Sequence, residues 1–254
     1  MRTVNAARYV TPLREGGSLP AIIEADDDGM YVLKFRGAGQ GTKALIAELI
    51  AGELARAAGF LVPELVLVAL DPEIAKTEPD PEIQDLIRAS GGINLGLDYL
   101  PGSVMFDPVA DKPDAELASR VVWFDAYVTN LDRTPRNANM LMWHRKLWLI
   151  DHGAALYFHH AWKDMDQRSK DRFPLIKEHI LLPFAGALAD VDQALTAAFT
   201  EEVIKGVVDL VPDDWMKDNA PFSSTAENRQ AYVNYLTSRL AEPRLWVEEA
   251  MGAR

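Results

Sequence analysis

Trp123 to Leu156, WFDAYVTNLDRTPRNANMLMWHRKLWLIDHGAAL, is the stretch whose reading decides the fold. It passes from the end of a helix expected to be buried into a short polar loop carrying Asp132, Arg133, Asn137 and Asn139. Two apolar strands follow, Asn139 to Trp143 and Lys146 to Ile150, and then Asp151, His152 and Gly153. Asp132 and Asn137 stand five positions apart, and Asp151 lies at the exit of the second strand. A tight hairpin would bring all three side chains to one rim. The bland alternative is that Asp-Arg and Asn-Ala-Asn merely form turns, as those residues commonly do.

A carboxylate, an amide and a second carboxylate are what phosphoryl transfer requires. One carboxylate orients the attacking hydroxyl, while the amide oxygen and the other carboxylate hold the Mg²⁺ that bridges the nucleotide phosphates. The order Asp, Asn, strand pair, Asp-x-Gly also matches the catalytic and metal loops of protein kinases, and it asks for a lysine upstream. Met30 to Phe35, MYVLKF, supplies Lys34 between Leu33 and Phe35 in a strand apolar on both faces. Its ammonium must then find a partner or an anion, unless the strand is an edge and the lysine points outward. Asp26-Asp27-Asp28-Gly29 before it predicts a hairpin with a two-residue turn, the Asp-Gly pair supplying positive φ. Earlier still, strands at Arg8 to Leu13 and Ala21 to Glu24 flank a break in which the amides of Gly16, Gly17 and Ser18 could approach phosphate closely. Taken alone, the segment reads better as a plain hairpin turn.

Lys43 to Ala58 is expected to be a helix closed by Gly59, with Leu45, Ile46, Leu49, Ile50 and Leu54 on one face and an alanine stripe on another. Glu48, beside the alanines, and Glu53, inside the large apolar face, are both candidates to hold Lys34, and periodicity does not choose between them. Pro63 introduces a strand at Leu65 to Leu70, a short helix is expected at Pro81 to Ala89, and Ile93 to Leu100 alternates before Pro101-Gly102. At a hinge, the backbone of Asp98, Tyr99 and Leu100 would face an adenine ring. Helices are then expected at Ala115 to Thr129, Phe173 to Leu182, Val191 to Ala198, Glu201 to Val211, Ala226 to Leu240 and Pro243 to Met251, with a capping box at Ser224 to Glu227. The fold class this predicts is α+β: a two-lobed protein-kinase-like fold, with a β-rich N-lobe over residues 1–101 and a mostly helical C-lobe over 102–254.

Composition narrows the partners. A chain of 254 residues with 48% hydrophobic content can bury a sizeable core. Its 26 basic against 38 acidic residues give a net charge of −12, which argues against nucleic acid or an anionic membrane as partner. With no cysteine, disulfides, thiolate catalysis and Cys-ligated zinc are excluded together. The N-terminus lacks the apolar core of a signal peptide and no apolar run reaches membrane-spanning length, so a soluble, cytoplasmic protein is expected.

The order of parts resembles the HipA-like branch of the protein-kinase-like superfamily. The resemblance is carried by VLK at Val32 to Lys34, AELIAGELARAAGFLVP at Ala47 to Pro63, TNLDRTPRNANML at Thr129 to Leu141 and LIDHG at Leu149 to Gly153. It covers most of the chain to about residue 160, the C-terminal helices matching only in kind. It implies ATP and Mg²⁺, with Asp132 as catalytic base, Asn137 and Asp151 as metal ligands, Lys34 on the phosphates and Glu48 rather than Glu53 as the partner of Lys34. GGSLPAI matches the family's glycine loop only in part, and a regulatory phosphorylation of Ser18 is an analogy with the loop serine of HipA toxins. The same Asp-Arg-x-x-x-Asn pattern also looks like that of lipid kinases.

The expected activity is transfer of phosphate from ATP to a Ser or Thr hydroxyl of a protein. The alternatives are a nucleotide-binding pseudokinase acting through a partner and a kinase for a small molecule or lipid. Retention of Lys34, Asp132, Asn137 and Asp151 together speaks against the pseudokinase. His159 and His160 are expected to point in opposite directions, His144 and His179 to lie at the surface, His152 to be structural, and Asp125 to support the polar loop.

Overall fold

The computed structural model describes residues 1–13, 19–39, 41–217 and 221–254, so Gly16, Gly17 and Ser18 lie outside the described residues. Five strands close a barrel: β1 (Thr3–Pro12), β2 (Ala21–Ala25), β3 (Met30–Lys34), β4 (Leu65–Leu70) and β5 (Gly92–Asp98). Their order around it is β1-β2-β3-β5-β4, antiparallel except where β1 meets β4, Thr3 pairing with Leu67 and Asn5 with Ala69. The polar-apolar alternation of β3 sends Tyr31 and Leu33 into the barrel interior with Ile23, Val66 and Val68, and Val32 and Lys34 to the opposite face.

That opposite face is covered by α1 (Thr42–Ala57), the crossover between β3 and β4. Its leucine and alanine faces are both buried, from Leu45 to Ala55 with only Glu53 partly open. The helix stops where Gly59 takes φ 84°. The Gly59 amide donates to the Arg56 carbonyl and the Phe60 amide to that of Ala55, the paired bonds of a Schellman cap. After α2 (Pro81–Ala89) and β5, the two-residue β6 (Val104–Met105) adds an edge to the hairpin of β7 (Met140–Trp143) and β8 (Lys146–Leu149).

The helix α3 (Ala115–Tyr127) is capped by Asp114, which accepts from the Leu117 amide at 2.7 Å, and buries almost its whole second half. Around it lie α4 (Met165–Arg168), α5 (Leu188–Ala198), α6 (Glu201–Val208), α7 (Asp213–Met216), α8 (Thr225–Leu240) and α9 (Leu245–Ala253). Trp123 is the anchor, edge-on to Trp246 at 4.9 Å and stacked on Phe199 at 6.1 Å. Among the described residues no helix is long and apolar enough to cross a membrane.

Several expectations change. Phe173 to Leu182 is not a helix but two 3₁₀ turns, Pro174–Glu178 and Leu182–Phe184. Between them the Ile180 amide donates to the Arg133 carbonyl, a bond outside any helix, and prolines stand at both turns. In the β2–β3 turn the left-handed residue is Asp28 (φ 61°), not Gly29, because the loop is longer than two residues and closes through the Ala25 amide to the Gly29 carbonyl. β1 begins earlier than Arg8, drawn out by its pairing with β4. Glu201 to Val211 stops at Val208, and the capping box at Ser224 has Glu227 reaching back to Ser223 instead of Ser224.

Gly96 of β5 faces the barrel interior, where a β-carbon would stand 2.8 Å from Val68 Cγ2, 3.0 Å from Val66 Cγ2 and 3.3 Å from Tyr31 Cβ. Gly96→Val overpacks three buried neighbours at once and is expected to destabilise the fold by about 1–3 kcal/mol. The check is the midpoint of urea denaturation.

Candidate active site

Lys34 leaves the outer face of β3 and meets α1 directly. Its Nζ lies 2.6 Å from Glu48 Oε2 and 2.5 Å from Asp151 Oδ1. Burial alone would push the ammonium towards neutrality, but the two carboxylate charges and their hydrogen bonds outweigh it and raise its pKa. Burial likewise works to protonate Glu48, which is fully buried, and the charge of Lys34 opposes it and holds the carboxyl well below its ordinary value. Glu53 does not take part. It is partly exposed and 3.7 Å from Arg56 one turn on.

Asp151 reaches Lys34 because the chain turns sharply after β8. The Ile150 amide donates to the Asn139 carbonyl at 3.1 Å, and Asp151 then takes φ 54°, a left-handed conformation that Asp tolerates better than most residues. His152 behind it is fully buried, its Nδ1 3.6 Å from Glu48 Oε1 and its ring edge-on to Phe124.

The loop before β7 holds Asp132 and Asn137 together, Asn137 Nδ2 donating to Asp132 Oδ2 at 2.7 Å. Asn139 Nδ2 stands 3.3 Å from the same oxygen. Because a carboxylate can only accept, the Asn137 amide must turn its NH₂ to Asp132 and its oxygen away. Asp132 Oδ1 accepts no hydrogen bond among the described residues. The Thr134 and Asn137 backbones bond reciprocally at 3.0 Å, folding the intervening residues into a tight turn.

Beneath the loop is a buried network that sequence reading found only in part. Asp125, in the last turn of α3, accepts from Arg133 Nε at 2.5 Å, from Asn130 Nδ2 at 3.0 Å and from His179 Nε2 at 2.8 Å. Burial would raise the Asp125 pKa, but Arg133 and His179 hold it well below the carboxylate range. Arg133 also donates through Nη1 to the Asn139 carbonyl and lies 3.4 Å from that of Ile150, so one guanidinium ties the loop to the exit of β8. His179, expected at the surface, is buried here. Its Nδ1 accepts from the Leu181 amide at 3.0 Å, which puts the proton on Nε2 towards Asp125. No periodicity could signal this residue, since it comes from a segment that is not helical.

His159 and His160 lie on one 3₁₀ turn, His159 buried against the Tyr232 hydroxyl at 2.9 Å and His160 exposed, and His144 is exposed. In the hinge segment the amides of Asp98 and Tyr99 donate to the carbonyls of Glu64 and Met30, and the Leu100 carbonyl accepts from Ser103. The Tyr99 carbonyl and the Leu100 amide make no hydrogen bond among the described residues.

Two outcomes follow. Asp125→Asn removes the charge facing buried Arg133 and is expected to cost roughly 3–5 kcal/mol in urea denaturation. Burial also depresses the pKa of His179 and, further, of His159. Folded values below the unfolded value of about 6.5 mean that the unfolded chain takes up protons first, so stability is full above about pH 6.5 and falls as the solution is acidified. The melting temperature should drop between neutral and mildly acidic pH, and less steeply in His159→Gln.

A family model described as HipA-like kinase matches residues 7–249. No curated protein sequence matches the chain. Two solved kinases share its fold at 12% identity and a TM-score of 0.52. The proinflammatory kinase CtkA of Helicobacter pylori aligns over 95% of this chain and 93% of its own. The Golgi casein kinase aligns over 100% and 74%, and its form described as having Mn and ADP bound gives a TM-score of 0.51 at the same identity, over 100% and 75%. With almost its whole length matched by the family model, this chain belongs to the HipA-like kinases.

Proposed function

We propose that this kinase transfers the terminal phosphoryl group of ATP to a Ser or Thr hydroxyl of a protein, in a cleft between a β-rich lobe (residues 1–101) and a mostly helical one (102–254). The observation that carries the reading is the convergence of Lys34, Glu48 and Asp151 from β3, α1 and the β8 exit. Lys34, fixed by Glu48, holds the α and β phosphates. The Tyr99 carbonyl and Leu100 amide offer an acceptor and a donor to the adenine edge beside Asp98.

The donor set fits a hard divalent cation. Asp151 has one oxygen on Lys34 and the other outward, and Asn137 has its amide oxygen free. Such an ion takes one or two protein oxygens and completes its shell with phosphate and water. Asn137 and Asp151 would hold Mg²⁺, which when bound neutralises charge on the phosphates. Asp132 is the base. With Oδ2 fixed by Asn137, its Oδ1 orients the acceptor hydroxyl and takes its proton as the new O–P bond forms and the bond to ADP breaks.

Transfer of radiolabel from ATP with Mg²⁺ tests this. Wild type should label protein, with Asp132→Ala and Asp151→Ala each down by a factor on the order of a thousand or more. Thermal stabilisation by ATP with Mg²⁺ should survive in Asp132→Ala and be largely lost in Asp151→Ala. Equal loss would contradict the separate roles, and label confined to small molecules would point to a metabolite kinase.

A further inference from the structure

A cavity of about 620 Å³ opens beside the loop that holds Asp132, lined by residues 134–136, by the 177–183 segment and by Ala253 and Arg254. Arg136 sits at its lip, next in sequence to Asn137, whose amide touches Asp132. The turn closed between Thr134 and Asn137 keeps that step short. The back wall is fixed too, because His179 is bonded to Asp125 and the Ile180 amide to the Arg133 carbonyl. Cavity and loop therefore share one rigid support.

Its charge is opposite to that of the molecule. In a chain of net charge −12, the side chains lining the cavity include the cations of Arg136, Lys177 and Arg254 and one side-chain carboxylate, that of Glu178. All three cations are exposed, and none forms an ion pair among the described residues. Elsewhere on the surface Arg2, Arg8, Arg88, Lys205 and Arg229 are each paired with a carboxylate, while Lys112, Arg145, Lys146 and Lys170 are exposed and, like the three in the cavity, form no ion pair among the described residues. Exposed cations left without acids in so acidic a chain are free to bind an anion. Apolar walls from Pro135 and Ile180 separate them, and Glu178 lies in their midst. That spacing suits an extended segment bearing spaced carboxylates better than a compact polyanion.

We propose that this cavity docks the phosphoryl acceptor, and that Arg136, Lys177 and Arg254 select a protein segment with acidic side chains beside its reactive hydroxyl. The inference rests on the kinase reading above and adds the chemistry of the acceptor. The test uses the full chain and a short fluorescein-labelled peptide with alanine in place of the phosphorylated residue and glutamates on both sides. Fluorescence anisotropy should show it binding about tenfold more tightly than its glutamine counterpart, the effect of about 1.4 kcal/mol from charge-assisted contacts. Arg136→Glu and Lys177→Glu should each abolish most of the preference, since either leaves two cations against two carboxylates in the cavity, and Arg136→Lys should keep most of the original. Both positions are exposed, and a melting curve of each variant, with Arg136→Gln as a milder substitute, keeps a folding defect from imitating the result.

Equal affinity for glutamate, glutamine and lysine peptides overturns the proposal, as does a preference that survives both charge reversals. Competition by free glutamate or inorganic phosphate as strong as that by the peptide also overturns it, in favour of a small-anion site. Because the peptide cannot be phosphorylated, none of these outcomes depends on turnover. The shift in wild-type melting temperature caused by ATP with Mg²⁺ reports on the kinase reading separately. Stabilisation retained without peptide discrimination sinks the acceptor assignment alone.

Discussion

The ammonium of Lys34 is shared by two carboxylates that sequence keeps far apart, Glu48 in α1 and Asp151 beyond β8. Lys34 and Glu48 would each be costly if buried alone, and both are tolerated because the ammonium lies 2.6 Å from Glu48 and 2.5 Å from Asp151. The group has one positive charge against two negative ones, so it is short of positive charge on the side where Asp151 meets solvent. The second carboxylate is therefore only half satisfied within the protein.

The second constraint lies beneath. Asp125 gathers Arg133, Asn130 and His179 around one buried carboxylate, and Arg133 carries the connection on to the carbonyl of Asn139. The chain over this network passes through left-handed conformations at Thr129 (φ 53°), Asn139 (φ 48°) and Asp151 (φ 54°). Such residues each cost energy that surrounding bonds must offset, and here those bonds are known by name. The polar loop is thus held from below, which leaves Asp132 Oδ1 and the Asn137 amide oxygen available above.

What was legible in the sequence was whatever short-range pattern encodes. The strand periods, the α1 helix with its glycine stop, and the pairing of Asp132 with Asn137 in one loop all survive into the structure. Periodicity left Glu48 and Glu53 open, and the choice became visible only when strand and helix were packed. His179 shows the limit most plainly. Its burial follows from a carboxylate over fifty residues earlier and from a non-helical backbone between two prolines, neither of which a local pattern reports. Arg133 and Asn139 could be seen as polar residues in a loop, but not that the first would bond the backbone of the second.

The barrel's connectivity has a kinetic consequence. β1, β2 and β3 form a meander of near neighbours, and β4 and β5 pair over a modest separation. The remaining seams, β1 with β4 and β3 with β5, join Thr3 to Leu67 and Tyr31 to Asp98. Closing either is entropically expensive by itself, but one docking event closes both, with α1 as the tether. That same event carries Glu48 up to Lys34, so closing the barrel and burying this ion pair are coupled steps of folding.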